Sequence, residues 1–127
     1  GVKVVGEAEI VLPNPSTYLG LLDIYVNREI GDDGQVPDKS GEGTVYVAEE
    51  GIDRVMALKL FTYRSAEFLY AESKVGSLEP GKYADFIVLD KDYLSGPDAD
   101  IKHNKVIMTV QADEVVYKDD AYMPGVK

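Results

Sequence analysis

Cysteine is absent from this sequence of 127 residues, and histidine occurs once, at His103. The first absence excludes disulfides, thiolate nucleophiles and cysteine-ligated zinc. The second weighs against a self-contained hydrolytic metal site, because such sites gather several histidine and carboxylate ligands around one open position. Positive charge is also scarce. Thirteen Lys and Arg stand against 23 Asp and Glu, for a formal net charge of -10, whereas phosphate backbones are bound by clustered cations that release counterions. The acidic pairs Asp32-Asp33, Glu49-Glu50 and Asp119-Asp120 are scattered along the chain, which assigns most of them to surface solvation. No apolar run approaches the ~20 residues that a membrane span needs, and the opening residues carry no basic-then-apolar targeting pattern. The expectation is a cytoplasmic chain with neither nucleic acid nor a membrane as partner.

Hydrophobic residues make up 45% of the chain and charged residues 28%, the balance of an ordinary globular domain. A chain of this length buries enough surface to fold without a metal or disulfide staple. Residues 2–12 alternate, with Val2, Val4, Ala8, Ile10 and Leu12 on one face and Lys3, Glu7 and Glu9 on the other. Period two predicts a half-buried strand, with Gly6 at a bulge. Pro13-Asn14-Pro15 ends it, since proline donates nothing to a ladder. Ser16 or Thr17 then caps a helix running to about Arg28, with Leu19, Leu22 and Val26 at helical spacing. Residues 31–43, rich in Gly, Asp, Lys, Pro and Ser, read as a long loop.

Asp53 is the N-cap candidate for a second helix carrying Val55, Met56, Leu58, Leu60 and Phe61. Another helical run holds Ala66, Phe68, Leu69 and Tyr70, with Thr62-Tyr63 marking a bend. Apolar residues on nearly every side of these runs predict burial by more than one neighbour. In Leu78-Glu79-Pro80-Gly81, proline precedes a glycine that supplies positive φ, a type II turn signal. Residues 84–89 are nearly all apolar and read as a buried strand, residues 90–104 as loop. Residues 105–111 and 114–118 form a predicted hairpin about Ala112-Asp113, and Pro124-Gly125 lies in a fraying end.

Three arrangements bear on chemistry. Gly76-Ser77-Leu78-Glu79-Pro80-Gly81-Lys82 matches the first seven positions of a phosphate-binding loop, but Tyr83 stands where a magnesium-binding Ser or Thr belongs. The segment also follows a helix and opens a strand, the reverse of the order that aims helix amides at phosphate. Glu7 and Glu9 emerge on one face of a strand, where paired carboxylates can share a proton or a metal; with Lys3 beside them, a solvated face explains them better. His103, among Asp98, Asp100 and Lys102, reads as a surface histidine rather than a ligand or base. The nine tyrosines show no regular interleaving with basic residues, so no stacking platform for bases is read.

The stretch from Gly76-Ser77-Leu78-Glu79-Pro80-Gly81-Lys82 through Tyr83-Ala84-Asp85-Phe86-Ile87-Val88-Leu89-Asp90 resembles the C-terminal signature of the amidohydrolase superfamily, closest to its family 3 branch. Asp90-Lys91-Asp92-Tyr93-Leu94 resembles that family's acidic loop, and residues 106–117, ending in Val116-Tyr117, its closing hairpin. Ala57-Leu58, Thr62 and Ser65-Ala66 resemble its helical pattern. The likeness covers residues 52–118 most specifically. It implies an α+β chain whose residues 1–73 come from the end of a metal-bearing (β/α)8 barrel and whose residues 74–127 belong to a small composite β-sandwich.

The resemblance further implies a parent enzyme that hydrolyses a non-peptide, amide-like C–N bond with a divalent, zinc-like metal. The family's metal-binding Asp falls here on Ala8, within Gly6-Glu7-Ala8-Glu9. No catalytic, cofactor-binding or metal-binding residue is therefore carried over, and the chain by itself is expected to be inactive. A non-catalytic β-sandwich module for assembly or binding, and a degenerate hydrolase without metal, stand as alternatives. The expected partners are the remainder of the parent chain and a second copy, joined through exposed strand edges.

Overall fold

A computed structural model of the protein describes residues 4–6, 17–31, 37 and 41–122. Helices and antiparallel strands are mixed, in two compact units interleaved along the chain. One unit takes Ala8–Leu58 and Lys91–Lys105; the other takes Gly1–Glu7, Lys59–Asp90 and Val106–Lys127.

In the first of these, helix α1 (Thr17–Asn27) buries Leu19, Leu22 and Asp23, three residues that helical spacing places on one face. The helix stops at Arg28, whose φ of 58° is left-handed, a conformation usually given to glycine because a β-carbon is disfavoured there. Arg28 is held in it by Tyr46, which donates its amide to the Arg28 carbonyl at 2.9 Å and accepts from the Arg28 Nε at 3.2 Å. Two short strands, β1 (Glu29–Ile30) and β2 (Thr44–Val45), pair antiparallel across the segment read from sequence as loop alone. Buried Glu29 closes that segment by accepting the Gly41 and Gly43 amides at 2.7 and 2.9 Å.

Helix α2 (Arg54–Phe61) opens on Asp53, whose carboxylate accepts the Met56 amide at 2.9 Å, the expected N-cap. The chain bends at Thr62, and α3 (Tyr63–Phe68) follows. Burial of this region is narrower than expected: Ala57, Leu60 and Ala66 are buried, while Val55, Met56 and Phe68 remain exposed. Two alanines and one leucine therefore make the buried contacts, and the side chains of Val55, Met56 and Phe68 face outward. Residues 90–104 are not wholly loop either. A 3₁₀ segment, Asp98–His103, buries Ile101 and packs against α1 within the same unit.

The other unit is built on a three-stranded antiparallel sheet in the order β3 (Phe86–Leu89), β4 (Val106–Gln111), β5 (Glu114–Lys118). The register opposes Phe86, Val110 and Val115 on one face and Ile87, Thr109 and Tyr117 on the other. Val106 and Val110 are buried. β3 is not the buried strand that its apolar run predicts, because Ile87 is 49% exposed. A run of apolar residues places half of them on each face of a strand, and only one face here is packed.

The β4–β5 hairpin forms where expected. Ala112 and Asp113 take φ of 50° and 66°, the paired positive values of a type I′ turn, whose twist matches that of the strands. Asp85 holds this turn by accepting the Ala112 amide at 2.8 Å. Ahead of β3, Lys82 donates its amide to the Glu79 carbonyl at 3.1 Å, with Gly81 at φ 93°. The turn thus runs over residues 79–82, with Pro80 at its second position and Gly81, at positive φ, at its third. Of the predicted first strand, residues 4–6 are described and are not in a strand. The rest of it, the Ser16 cap and the terminal Pro124-Gly125 lie outside the described residues.

Candidate functional site

The best-organised polar constellation among the described residues is a chain of side chains inside the unit that holds α1. Asp23 and Asn27 stand one helical turn apart, and Asn27 donates its amide to Asp23 Oδ1 at 2.8 Å. The same amide nitrogen reaches the Asp98 carbonyl at 3.0 Å, tying α1 to the 3₁₀ segment. Asp98 in turn accepts from the Arg54 guanidinium through both Nε, at 3.0 Å, and Nη2. Arg54 Nη1 donates to the Tyr93 carbonyl at 2.6 Å, and the Tyr93 hydroxyl donates back to the Arg54 carbonyl at 2.9 Å. The guanidinium carbon lies 5.9 Å from the Tyr93 ring centroid, within cation–π range. Arg54 thus closes α1, the 3₁₀ segment and the loop bearing Tyr93 onto the first turn of α2.

Electrostatics mark this as a scaffold more than a reaction centre. Asp23 is 0% exposed, and burial pushes its carboxyl above the ordinary 3.8, against the lowering from the Asn27 amide and from Lys102. Its Oδ2 and the buried Lys102 Nζ have no hydrogen-bond partner. A carboxylate so enclosed cannot reach a substrate in bulk solvent, and general base catalysis requires that reach. Burial likewise pushes the Tyr93 phenol up to about 12, so it stays protonated as a donor.

The other sequence candidates are separate from this cluster in role. His103 is exposed at the end of the 3₁₀ segment. Glu7 and Glu9 lie outside the described residues. The loop of residues 76–82 is closed to phosphate: Lys82 Nζ donates to Ser77 Oγ at 2.6 Å and to Glu79 Oε1 at 3.3 Å. Hydrogen bonds from Ser77 and Lys82 hold the Glu79 carboxyl below its usual range, so an anion would meet a fixed negative charge. Among the described residues, no group of three or more His, Asp or Glu side chains is placed to hold a metal ion. The described residues do not fit a hydrolytic metal centre.

Sequence reasoning missed the Arg54 network. Its visible signals were Asp23 on the apolar face of a helical pattern and the i, i+4 pairing with Asn27. The partners Tyr93 and Asp98 are distant in sequence, and nothing local announces them.

The described residues mix helices with an antiparallel sheet and hold a buried polar cluster in the unit that contains α1. Comparison supplies the class: a family profile described as "Amidohydrolase family" matches residues 26–117, and the chain belongs to the amidohydrolase family. It is 33% identical over 95 residues to a 5-methylthioadenosine/S-adenosylhomocysteine deaminase of Symbiobacterium thermophilum. That match covers 67% of this chain and 20% of the deaminase, so the chain spans about a fifth of its relative's length. A crystal structure of an amidohydrolase from Thermotoga maritima aligns at 25% identity with a TM-score of 0.47, covering 56% of this chain and 17% of that one.

Proposed function

We propose that this chain is the C-terminal part of a metal-dependent hydrolase that cleaves a non-peptide C–N bond, and that it is inactive by itself. In this reading residues 1–73 close the barrel and residues 74–127 contribute to the composite sandwich. The remainder of the polypeptide is its first partner and carries the metal, a zinc-like divalent ion. Bound there, the metal would polarise the scissile group and lower the pKa of its water. The residues of this chain hold the frame: Arg54 locks the start of α2, Asp85 fixes the β4–β5 hairpin, and the Pro80-Gly81 turn starts the sheet.

The observation that carries this reading is the family match over residues 26–117, in a chain with a single histidine and no cysteine. The deaminase relative, which by its name removes an amino group from an adenine-type nucleoside, supports C–N hydrolysis as the class. An assay tests the inactivity directly. The chain is incubated with zinc, cobalt or manganese and with N-acyl amines and adenine nucleosides, and the release of amine or ammonia is followed. No release above the metal-only control is expected. Turnover that a chelator abolishes and zinc restores would contradict the proposal.

A further inference from the structure

We propose that the unit holding α1 contains an internal binding site for one water molecule, which donates to Asp23 Oδ2 and accepts from Lys102 Nζ. Both atoms are buried, and neither has a hydrogen-bond partner in the protein. Asp23 is 0% exposed, and its Oδ1 is already taken by the Asn27 amide at 2.8 Å. Burying a charged group without a partner is costly, so two orphaned atoms of opposite charge in one packed unit call for a common partner.

Spacing brings the two side chains together. The 3₁₀ segment packs against α1, and Asn27 meets the Asp98 carbonyl at 3.0 Å. Asp23 lies four residues before Asn27, about 6 Å back along an α-helix. Lys102 lies four residues after Asp98, about 8 Å on along a 3₁₀ helix. The Lys102 charge and backbone amide both favour the ionised Asp23 carboxyl, so the two contacts run in opposite order along their segments. Lys102 then comes level with Asp23 to within about 2 Å along the helix, a mismatch its long side chain absorbs.

The opposite charges select the occupant. A cation would be repelled by the Lys102 ammonium and an anion by the Asp23 carboxylate, while an apolar group would leave both atoms orphaned. Asp23 Oδ2 and Lys102 Nζ are not bonded to each other, so the occupant must donate to one and accept from the other. Water does both at once, and internal waters typically hold such otherwise unsatisfied buried groups. The bridge ties α1 to the 3₁₀ segment a second time, one helical turn from the bond between Asn27 and the Asp98 carbonyl. The site draws on this unit alone, so it holds or fails independently of any hydrolase activity.

Oxygen-17 magnetic relaxation dispersion on the full chain tests it, because that signal counts water molecules held inside a protein for long residence times. Asp23→Leu and Lys102→Met, made together, turn the site apolar, and an apolar site stays dry. The double variant should hold one internal water fewer than the parent. An equal count in a folded double variant would overturn the proposal. Should circular dichroism show the double variant unfolded, a high-resolution crystal structure of the parent decides. The expected result is one water within about 3 Å of both Asp23 Oδ2 and Lys102 Nζ. A direct bond between those two atoms, or well-defined side chains with no water between them, would overturn it.

Discussion

Gly76 and Gly81 offer a matched pair that separates backbone strain from steric contact. Their φ values are 92° and 93°, so an alanine at either position meets the same left-handed penalty, about 1–2 kcal/mol. The surroundings differ. A β-carbon on Gly81 meets nothing within 4 Å, whereas one on Gly76 would lie 2.5 Å from the Ala66 β-carbon and 3.3 Å from the Thr62 carbonyl oxygen. Carbon atoms rest at about 3.5–4.0 Å, and a methyl group has no rotamer by which to move aside. Ala66 is buried on α3, so the helix backbone itself must shift. Overpacking of this kind costs about 1–3 kcal/mol. Gly81→Ala should therefore cost about 1–2 kcal/mol and Gly76→Ala about 2–5 kcal/mol, the sum of the two effects. Urea unfolding with an unchanged slope reads the difference as a shift in midpoint. Adding Ala66→Gly to Gly76→Ala should recover part of the loss, as a double-mutant cycle. Equal losses at the two glycines would refute the reasoning.

Three further outcomes follow from the polar network around α1. Arg54→Ala removes the contacts to Asp98 and to the Tyr93 carbonyl and should destabilise the fold by about 2–3 kcal/mol; urea unfolding checks it, and a loss below experimental error would show the network to be ornamental. Asp23 has its carboxyl pKa raised by burial, so the folded chain keeps that proton longer than the unfolded chain, and stability falls as pH rises from about 3.8 through the folded value. The stability of the parent relative to Asp23→Asn should accordingly be greatest in acid and shrink toward neutral pH; a difference that grows with pH would contradict the sign. Tyr93, with its phenol pushed up to about 12, should contribute nothing to an ultraviolet titration short of strongly alkaline pH. Tyr93→Phe should leave that curve unchanged there while costing about 1 kcal/mol from the lost bond to the Arg54 carbonyl.

The local elements were legible where chemistry and spacing are local. The α1 periodicity, the Asp53 cap, the bend at Thr62, the positive φ of Gly81 and the hairpin at Ala112-Asp113 all have causes within a few residues. Misreadings arose where the cause is distant. The 3₁₀ segment Asp98–His103 is stabilised by burying Ile101 and by contact with α1, which no sequence window of loop residues displays. Ile87 looked buried because an apolar run does not say which face of a strand is packed. The hairpin turn lacks glycine, and its missing signal is Asp85, twenty-seven residues away from the amide it holds. The family, by contrast, was legible in residues 76–117 because turn, strand and hairpin follow one another there in a fixed order.

Zinc stoichiometry tests the central claim, that this chain belongs to an amidohydrolase but does not carry its metal chemistry. The chain and its His103→Ala variant are dialysed against zinc, washed with a mild chelator and analysed for metal per protein. The account predicts substoichiometric zinc in both, with no difference between them. One tightly held zinc per chain, lost on replacing His103, would contradict it.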